Sequence, residues 1–481
     1  MNIKDTQSFS SSSSSSLPSS SSNSTSEQAI HNYNHIQQHD HDGTELYDVI
    51  VVGAGLSGAV MADRCARVLN KRVLVIEKRN HIAGNCYDYI NEYGHLVNQY
   101  GLHIFHTNDV EVYNYITQFS DWIRYDHRVV ARVYPQPSSS SSLAEEDTPS
   151  SPDIPACLSS ILVPVPVCIE TVNILCNQHL QNSQEMDAWL QEHQIRYDHT
   201  IQNGEEAAKA RVGEYLYTLL FEQYTYKQWN KTPAQLDKSI LERIPIRNNW
   251  DTRYFTDTYQ VLPIKGYTHF CQTLLQHPLI TVLLSTDFLE LRQTKYPPIQ
   301  PGNYTAIIYT GPIDTYFAHI GLPPLEYRSI HFDIQHVPII PSSSPSYPQG
   351  GGGGGFAQSH VVINEPSLQV PYTRSVEYKH LPMNRHVPST HSMVVREYTT
   401  HVGEPYYPVM NDRNISLYQE YKTYAEQVET EQGVFMLGRL ANYKYIDMHV
   451  AIRNALDVFE SRIIPLFEPP KKRQVLVKGE D

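Results

Sequence analysis

No apolar run in this chain reaches the length of a membrane span. Its N-terminus has no cationic start followed by an apolar core. Both absences lead to the expectation of a cytoplasmic chain with no membrane span. Cysteine is scarce, with 6 in 481 residues and no CxxC spacing. That argues against a disulfide framework and against a thiolate metal centre, so reduced thiols are expected. Positive charge is in deficit. A net charge of −14 argues against nucleic acid or an anionic membrane as the main partner. It says little about a small diphosphate, which a few arginines aimed into one cleft can hold. No repeat of solenoid period is present.

Three tracts lack the apolar content needed to offset chain entropy. Residues 1–45 are dominated by Ser, Asn, Gln and His and are expected to be disordered. The tracts at 137–153 and 341–358, the latter holding Gly350 to Gly355, are expected as low-complexity insertions in surface loops. His31, His35, His39 and His41 belong to the first tract and lack the ligand frame of a metal site.

Tyr47-Asp48-Val49-Ile50-Val51-Val52 is a short, β-branched run typical of a buried parallel strand. It leads into Gly53-Ala54-Gly55-Leu56-Ser57-Gly58, a GxGxxG turn, and then a helix is expected over about 57–69. A second buried strand, 72–77, ends in Glu77. This order gives the glycines a purpose: a tight turn, close approach of a pyrophosphate, and close helix packing. The helix N-terminus then offers free N–H groups to the phosphates, and Glu77 can accept from ribose hydroxyls. Further strands are expected at 305–311 and 434–438, and a helix from about Met448 to Leu466. Residues 183–242 carry helical spacing, with Ala207, Val212, Tyr215, Leu216, Leu219 and Leu220 on one broad apolar face. The turn alone fits either FAD or NAD.

The next segment, Glu77-Lys78-Arg79-Asn80-His81-Ile82-Ala83-Gly84-Asn85, resembles the corresponding loop of FAD enzymes of the amine-oxidase and mutase type, with Ala83 where a glycine is usual. More strings come after it in order: Gly101-Leu102-His103-Ile104-Phe105-His106-Thr107-Asn108, Tyr224-Thr225-Tyr226-Lys227-Gln228-Trp229, Arg243-Ile244-Pro245-Ile246-Arg247, and Tyr254-Phe255-Thr256-Asp257. Tyr309-Thr310-Gly311-Pro312-Ile313-Asp314, Leu325-Glu326-Tyr327-Arg328-Ser329, Pro371-Tyr372-Thr373-Arg374, Glu404-Pro405-Tyr406-Tyr407-Pro408 and Gly438-Arg439-Leu440-Ala441-Asn442-Tyr443-Lys444-Tyr445-Ile446-Asp447-Met448 complete the set. Together they resemble the UDP-galactopyranose mutase family, in its bacterial-type branch, over about 47–465.

The resemblance implies an α/β fold: a doubly wound FAD-binding domain with an inserted helical domain and an antiparallel sheet domain. The FAD-binding part would be discontinuous, at 46–120, 261–325 and 411–470. The helical substrate domain with its mobile loop would cover 176–260. The sheet domain would cover 121–175 and 326–410. The implied activity is the interconversion of UDP-galactopyranose and UDP-galactofuranose, with FAD active only when reduced and serving as the nucleophile toward the anomeric carbon. An external reductant such as NAD(P)H is implied, because no internal domain for it is evident. The oligomeric state is open, a homo-oligomer included.

By the same resemblance, Arg243 and Arg374 hold the diphosphate, and His106 lies beside the flavin. Tyr254, Tyr407 and Tyr445 donate to the phosphates, Tyr224 and Trp229 border the uracil, and Glu397 is an acid near the site. Gly53, Gly55, Leu56, Ser57, Gly58, Glu77, Lys78, Asn85, His103, Ile104, Arg439, Asp447 and Met448 would hold the cofactor. No residue is assigned to a metal. Three departures bear on specificity: Tyr226 where Glu is frequent, Arg253 placing a cation at the edge of the uridine site, and Cys168 where Asn is common in a strand-like segment. Two other readings stay open: a flavin oxidoreductase of the amine-oxidase type, and a flavoprotein that binds UDP-sugars without turnover.

Overall fold

The computed structural model describes residues 46–134, 160–294, 296–339 and 355–468. The expected disordered tail, the N-terminal histidines and most of both insertions lie outside these residues.

Five strands form a wholly parallel sheet in the order Ile280–Leu283, Val73–Ile76, Val49–Val52, Ala306–Tyr309, Val434–Met436. The three central strands are buried at every position. This is why they read as unbroken β-branched and apolar runs rather than as alternation. Helix Leu56–Arg67 packs on the sheet together with helices Tyr267–Leu275 and Met448–Val458. Helix Asp412–Gln432 joins a second apolar layer through Leu417, Tyr421 and Ala425. The strand order reverses between Val49–Val52 and Ala306–Tyr309, and a doubly wound sheet opens a crevice at such a point.

A second sheet has seven strands: Tyr407–Pro408, Tyr327–Pro338, His391–Thr400, Arg374–Glu377, Val362–Asn364, Val129–Val133 and Ile161–Val165. The expectation of an antiparallel sheet holds for most of it. The pair Val362–Asn364 and Val129–Val133 is parallel, because those strands are brought together from distant parts of the chain rather than by a hairpin. Between the sheets in sequence lie helices Ile169–Cys176, Ser183–His193, Gly204–Tyr217 and Gln223–Trp229, which bury a shared apolar cluster.

Two expectations about these helices are corrected. Tyr215 does not join the apolar face and is 51% exposed. Gly213, at φ 77° and ψ 175°, breaks the helical phase just before it, so a constant 100° rotation per residue misplaces the side chains beyond the break. The segment read as a strand with Cys168 inside it divides. Ile161–Val165 is the strand, and Cys168, fully buried, is the N-cap of helix Ile169–Cys176. Cys65, Cys86, Cys168, Cys176 and Cys271 are all free thiols. No helix among the described residues is long and apolar enough to cross a membrane.

Candidate functional site

A cavity of about 890 Å³ opens at the sheet's reversal point and runs between the parallel sheet, the helices and the seven-stranded sheet. Every site residue expected from the sequence lines it, from the glycine turn to Arg243, Arg374, Tyr445 and Trp229. Chain positions hundreds of residues apart are thus gathered on one wall system.

At one end, close packing explains the glycines. A Cβ on Gly58 would stand 2.0 Å from the Gly53 carbonyl oxygen. The Gly55 and Gly84 backbones nearly touch, since a Cβ on Gly84 would come 3.0 Å from the Gly55 Cα. Helix Leu56–Arg67 begins at Gly55 with no side-chain cap, so its first N–H groups are left for an anion. Helix Met448–Val458 also begins uncapped by a side chain, at Asp447, and its first turn borders the same cavity. Two open helix N-termini and a cradle too tight for a side chain fit a dinucleotide cofactor.

The surrounding side chains set that end. Glu77 is buried and accepts from the Ala54 and Arg79 N–H groups, each at 2.8 Å. It therefore fixes the turn, in addition to any contact with a ribose. Lys78 reaches outward and pairs with Asp287 at 3.1 Å. Asn85 accepts from Arg79 at 3.0 Å. Ala83, standing where a glycine is usual, has φ 70° in the left-handed region. An L side chain there costs on the order of 1 kcal/mol. Ala83→Gly is expected to raise stability by about that amount, read as a higher thermal midpoint of the holoprotein.

His106, which also lines the cavity, is 8% exposed and stacks on Phe255 at 3.7 Å between centroids. Its Nδ1 lies 2.9 Å from an Asp257 oxygen, and its Nε2 lies 3.8 Å from Asp447. The second Asp257 oxygen accepts from the Asn108 amide at 2.9 Å. The His106 contact holds the Asp257 carboxyl below its usual range. The interaction is therefore kept above ordinary carboxylate pH and lost as pH falls through that lowered value. Burial pushes His103 down to about 4 and His127 down to about 3, so both rings are neutral near pH 7. Asp257→Asn cannot accept on both sides at once, because one oxygen becomes an N–H₂ donor. For the activity and FAD that the sequence resemblance implies, it is expected to lower kcat about tenfold in steady-state kinetics while flavin absorbance stays parental.

On the same cavity wall system, Tyr407 and Tyr445 stack at 5.3 Å. The Arg243 guanidinium lies 4.1 Å over Tyr445, and that of Arg439 lies 5.8 Å over Tyr407. Arg374 donates from Nε to buried Glu397 at 2.7 Å. Burial pushes the hydroxyls of Tyr224, Tyr254 and Tyr407 above their usual range, so they remain donors. Trp229 is 4% exposed and belongs to the helical core while still bordering the cavity.

Some residues at the site carried no assigned role in the sequence. His127, Phe255 and Asp257 line the cavity. The last two sit in the quoted Tyr254–Asp257 string, whereas nothing local singles out His127. None of the three departures lines the cavity. Tyr226 is exposed and does not line the cavity. Arg253 is bound to Asp251 at 2.8–3.1 Å and is also absent from the lining, so it places no free cation at the site edge. Cys168 is absent from the lining too.

Known proteins resemble this chain in sequence and in fold. A profile for UDP-galactopyranose mutase matches residues 219–445, and one for an NAD(P)-binding Rossmann-like domain matches residues 51–119. A Klebsiella pneumoniae protein described as a probable UDP-galactopyranose mutase is 31% identical over 439 residues, 88% of this chain and 98% of its own. An Escherichia coli dTDP-fucopyranose mutase is 30% identical, covering 85% and 96%. The crystal structure of a reduced UDP-galactopyranose mutase superposes with a TM-score of 0.62 at 14% identity, covering 88% and 94%. The crystal structure of an Exiguobacterium protein described as a putative protoporphyrinogen oxidase scores 0.54 at 12% identity, covering 87% and 99%; at such identities the likeness is one of fold alone. The sequence relationships reach further: this chain belongs to the UDP-galactopyranose mutase family of nucleotide-sugar pyranose–furanose mutases.

Proposed function

We propose that the protein interconverts UDP-galactopyranose and UDP-galactofuranose with reduced FAD. The observation that carries this reading is a cavity lined by Arg243 and Arg374 together with Tyr254, Tyr407 and Tyr445. Glu397 takes only the Nε edge of Arg374, and an amine or apolar substrate would offer no anion to the rest of that fork or to Arg243. When bound, the reduced flavin would supply the nucleophile for the anomeric carbon.

The chain's own residues supply the rest. Negative charge grows on the diphosphate as the sugar–phosphate bond breaks. Two permanently charged guanidinium groups and neutral phenol donors, set in advance, stabilise that charge without reorganising. Tyr224 and Trp229 offer ring faces to the nucleobase. His106, with Asp257 accepting from Nδ1, directs Nε2 toward the reacting centre and Asp447. The glycine turn, Glu77, Asn85 and His103 would seat the cofactor, and an external reductant such as NAD(P)H would keep it reduced.

The test is product analysis by chromatography of UDP-galactofuranose incubated with the purified holoprotein. Conversion to UDP-galactopyranose is expected with dithionite and absent without it. Flavin that reduces normally but gives no conversion would sink this reading. Turnover of a dTDP-linked 6-deoxysugar instead would move the substrate to that of the Escherichia coli relative.

A further inference from the structure

Arg374 opens the second strand of a hairpin. Strand Val362–Asn364 leads through residues 365–373 into Arg374–Glu377, with Asn364 opposite Arg374. The connecting loop turns the backbone carbonyls of Glu365, Ser367, Val370 and Tyr372 toward a single point, and the ammonium of Lys227 fills it. The last three contacts measure 2.9, 2.9 and 2.8 Å. An ammonium has only three protons, so four carbonyls around it resemble the oxygen shell of a bound monovalent cation. Without a cation these inward carbonyl dipoles would repel one another and stay unsatisfied.

Lys227 does not come from the hairpin. It lies on helix Gln223–Trp229, between Tyr224 and Trp229, which both line the cavity. Gln223, on the same helix, accepts from the Leu368 N–H at 2.9 Å. The Lys227 carbonyl accepts from the Thr399 hydroxyl, and Thr399 shares a strand with Glu397, the partner of Arg374. Three ties thus join the helix on the nucleobase side to the elements that aim the arginine.

We infer that Lys227 is a positioning residue: its ammonium, caged by the 365–372 loop, fixes Arg374 relative to the helix bearing Tyr224 and Trp229. It thereby sets the span between the diphosphate and nucleobase subsites. This rests on the nucleotide-sugar reading of the cavity. Burial holds the ammonium's pKa down at about 8, with nearby Glu365 opposing the fall.

The test measures UDP affinity by calorimetric titration of the FAD-loaded protein, with FAD content followed in parallel. Lys227→Ala empties the cage and is expected to weaken UDP binding about 10- to 100-fold, with FAD content unchanged. Ammonium or methylammonium chloride should restore most of the affinity, and the same concentration of tetramethylammonium chloride, too large for the cage, should not. Lys227→Gln keeps two N–H donors for the carbonyls, should lie between the parent and Lys227→Ala, and carries the test if Lys227→Ala does not fold. Parental UDP affinity in these variants, or a loss that ammonium leaves unchanged, overturns the inference. A parent protein that binds no UDP overturns the nucleotide-sugar reading itself, so the two failures are distinct.

Discussion

Arg374→Ala is expected to keep its FAD and lose about 10³-fold in kcat/KM under reducing conditions. The argument is geometric. One edge of the guanidinium, through Nε, is taken by Glu397 at 2.7 Å. The remaining fork is the part that can meet a diphosphate, and no shorter side chain can serve both partners. Arg374→Lys keeps the charge but not the fork, and should recover less than about a tenth of the loss. The alanine variant carries a second cost. Glu397 is 2% exposed and its Oε1 has no partner even in the parent, so truncation strands a buried carboxylate. Breaking a fully buried pair costs more, but the Arg374 side chain is 28% exposed, and solvent screening reduces the figure to about 1–3 kcal/mol. A lower thermal midpoint for Arg374→Ala than for Arg374→Lys would register that term. Parental turnover in Arg374→Ala would remove Arg374 from the diphosphate site.

Gly58→Ala is expected to raise the FAD dissociation constant at least about 10²-fold. The new Cβ meets the Gly53 carbonyl oxygen at 2.0 Å and the Gly53 carbonyl carbon at 3.1 Å. These are backbone atoms of the turn that ends the central strand, so the helix itself must shift, and with it the N–H groups that would face the pyrophosphate of the proposed FAD. Gly55→Ala separates cofactor loss from misfolding. Its Cβ meets only the Gly84 Cα, at 3.8 Å, so the apoprotein should keep its thermal midpoint while FAD binding falls through intrusion on the ligand. Flavin absorbance after gel filtration, with apoprotein melting curves, checks both variants. Parental FAD affinity in Gly55→Ala would mean that the pyrophosphate does not approach this turn.

The parallel strands and the glycine turn are legible because their causes are local. A strand buried on both faces must be apolar at every position, as Val49–Val52 and Val73–Ile76 are. A turn crowded to 2.0 Å admits only glycine. Tyr215 shows how a local rule fails, since helical periodicity assumes an unbroken helix and Gly213 interrupts it. Arg253 shows the limit of reading charge from position. A cation's reach depends on its partner, and Asp251, two residues earlier, neutralises it. His127 was silent because a buried neutral histidine has no sequence signature; only the walls around it make it part of the site.

The sequence by itself determined the dinucleotide-type turn, the parallel strands and the family, since each rests on short strings whose residues act on their neighbours. Only the tertiary structure decided that Asp257 orients His106, that Lys227 locks the loop before Arg374, and that one sheet pair runs parallel. Those depend on contacts between elements more than a hundred residues apart. Hydrogen bonds and packing act over a few ångströms of space, and no local pattern encodes which distant segments the folded chain will place within that range.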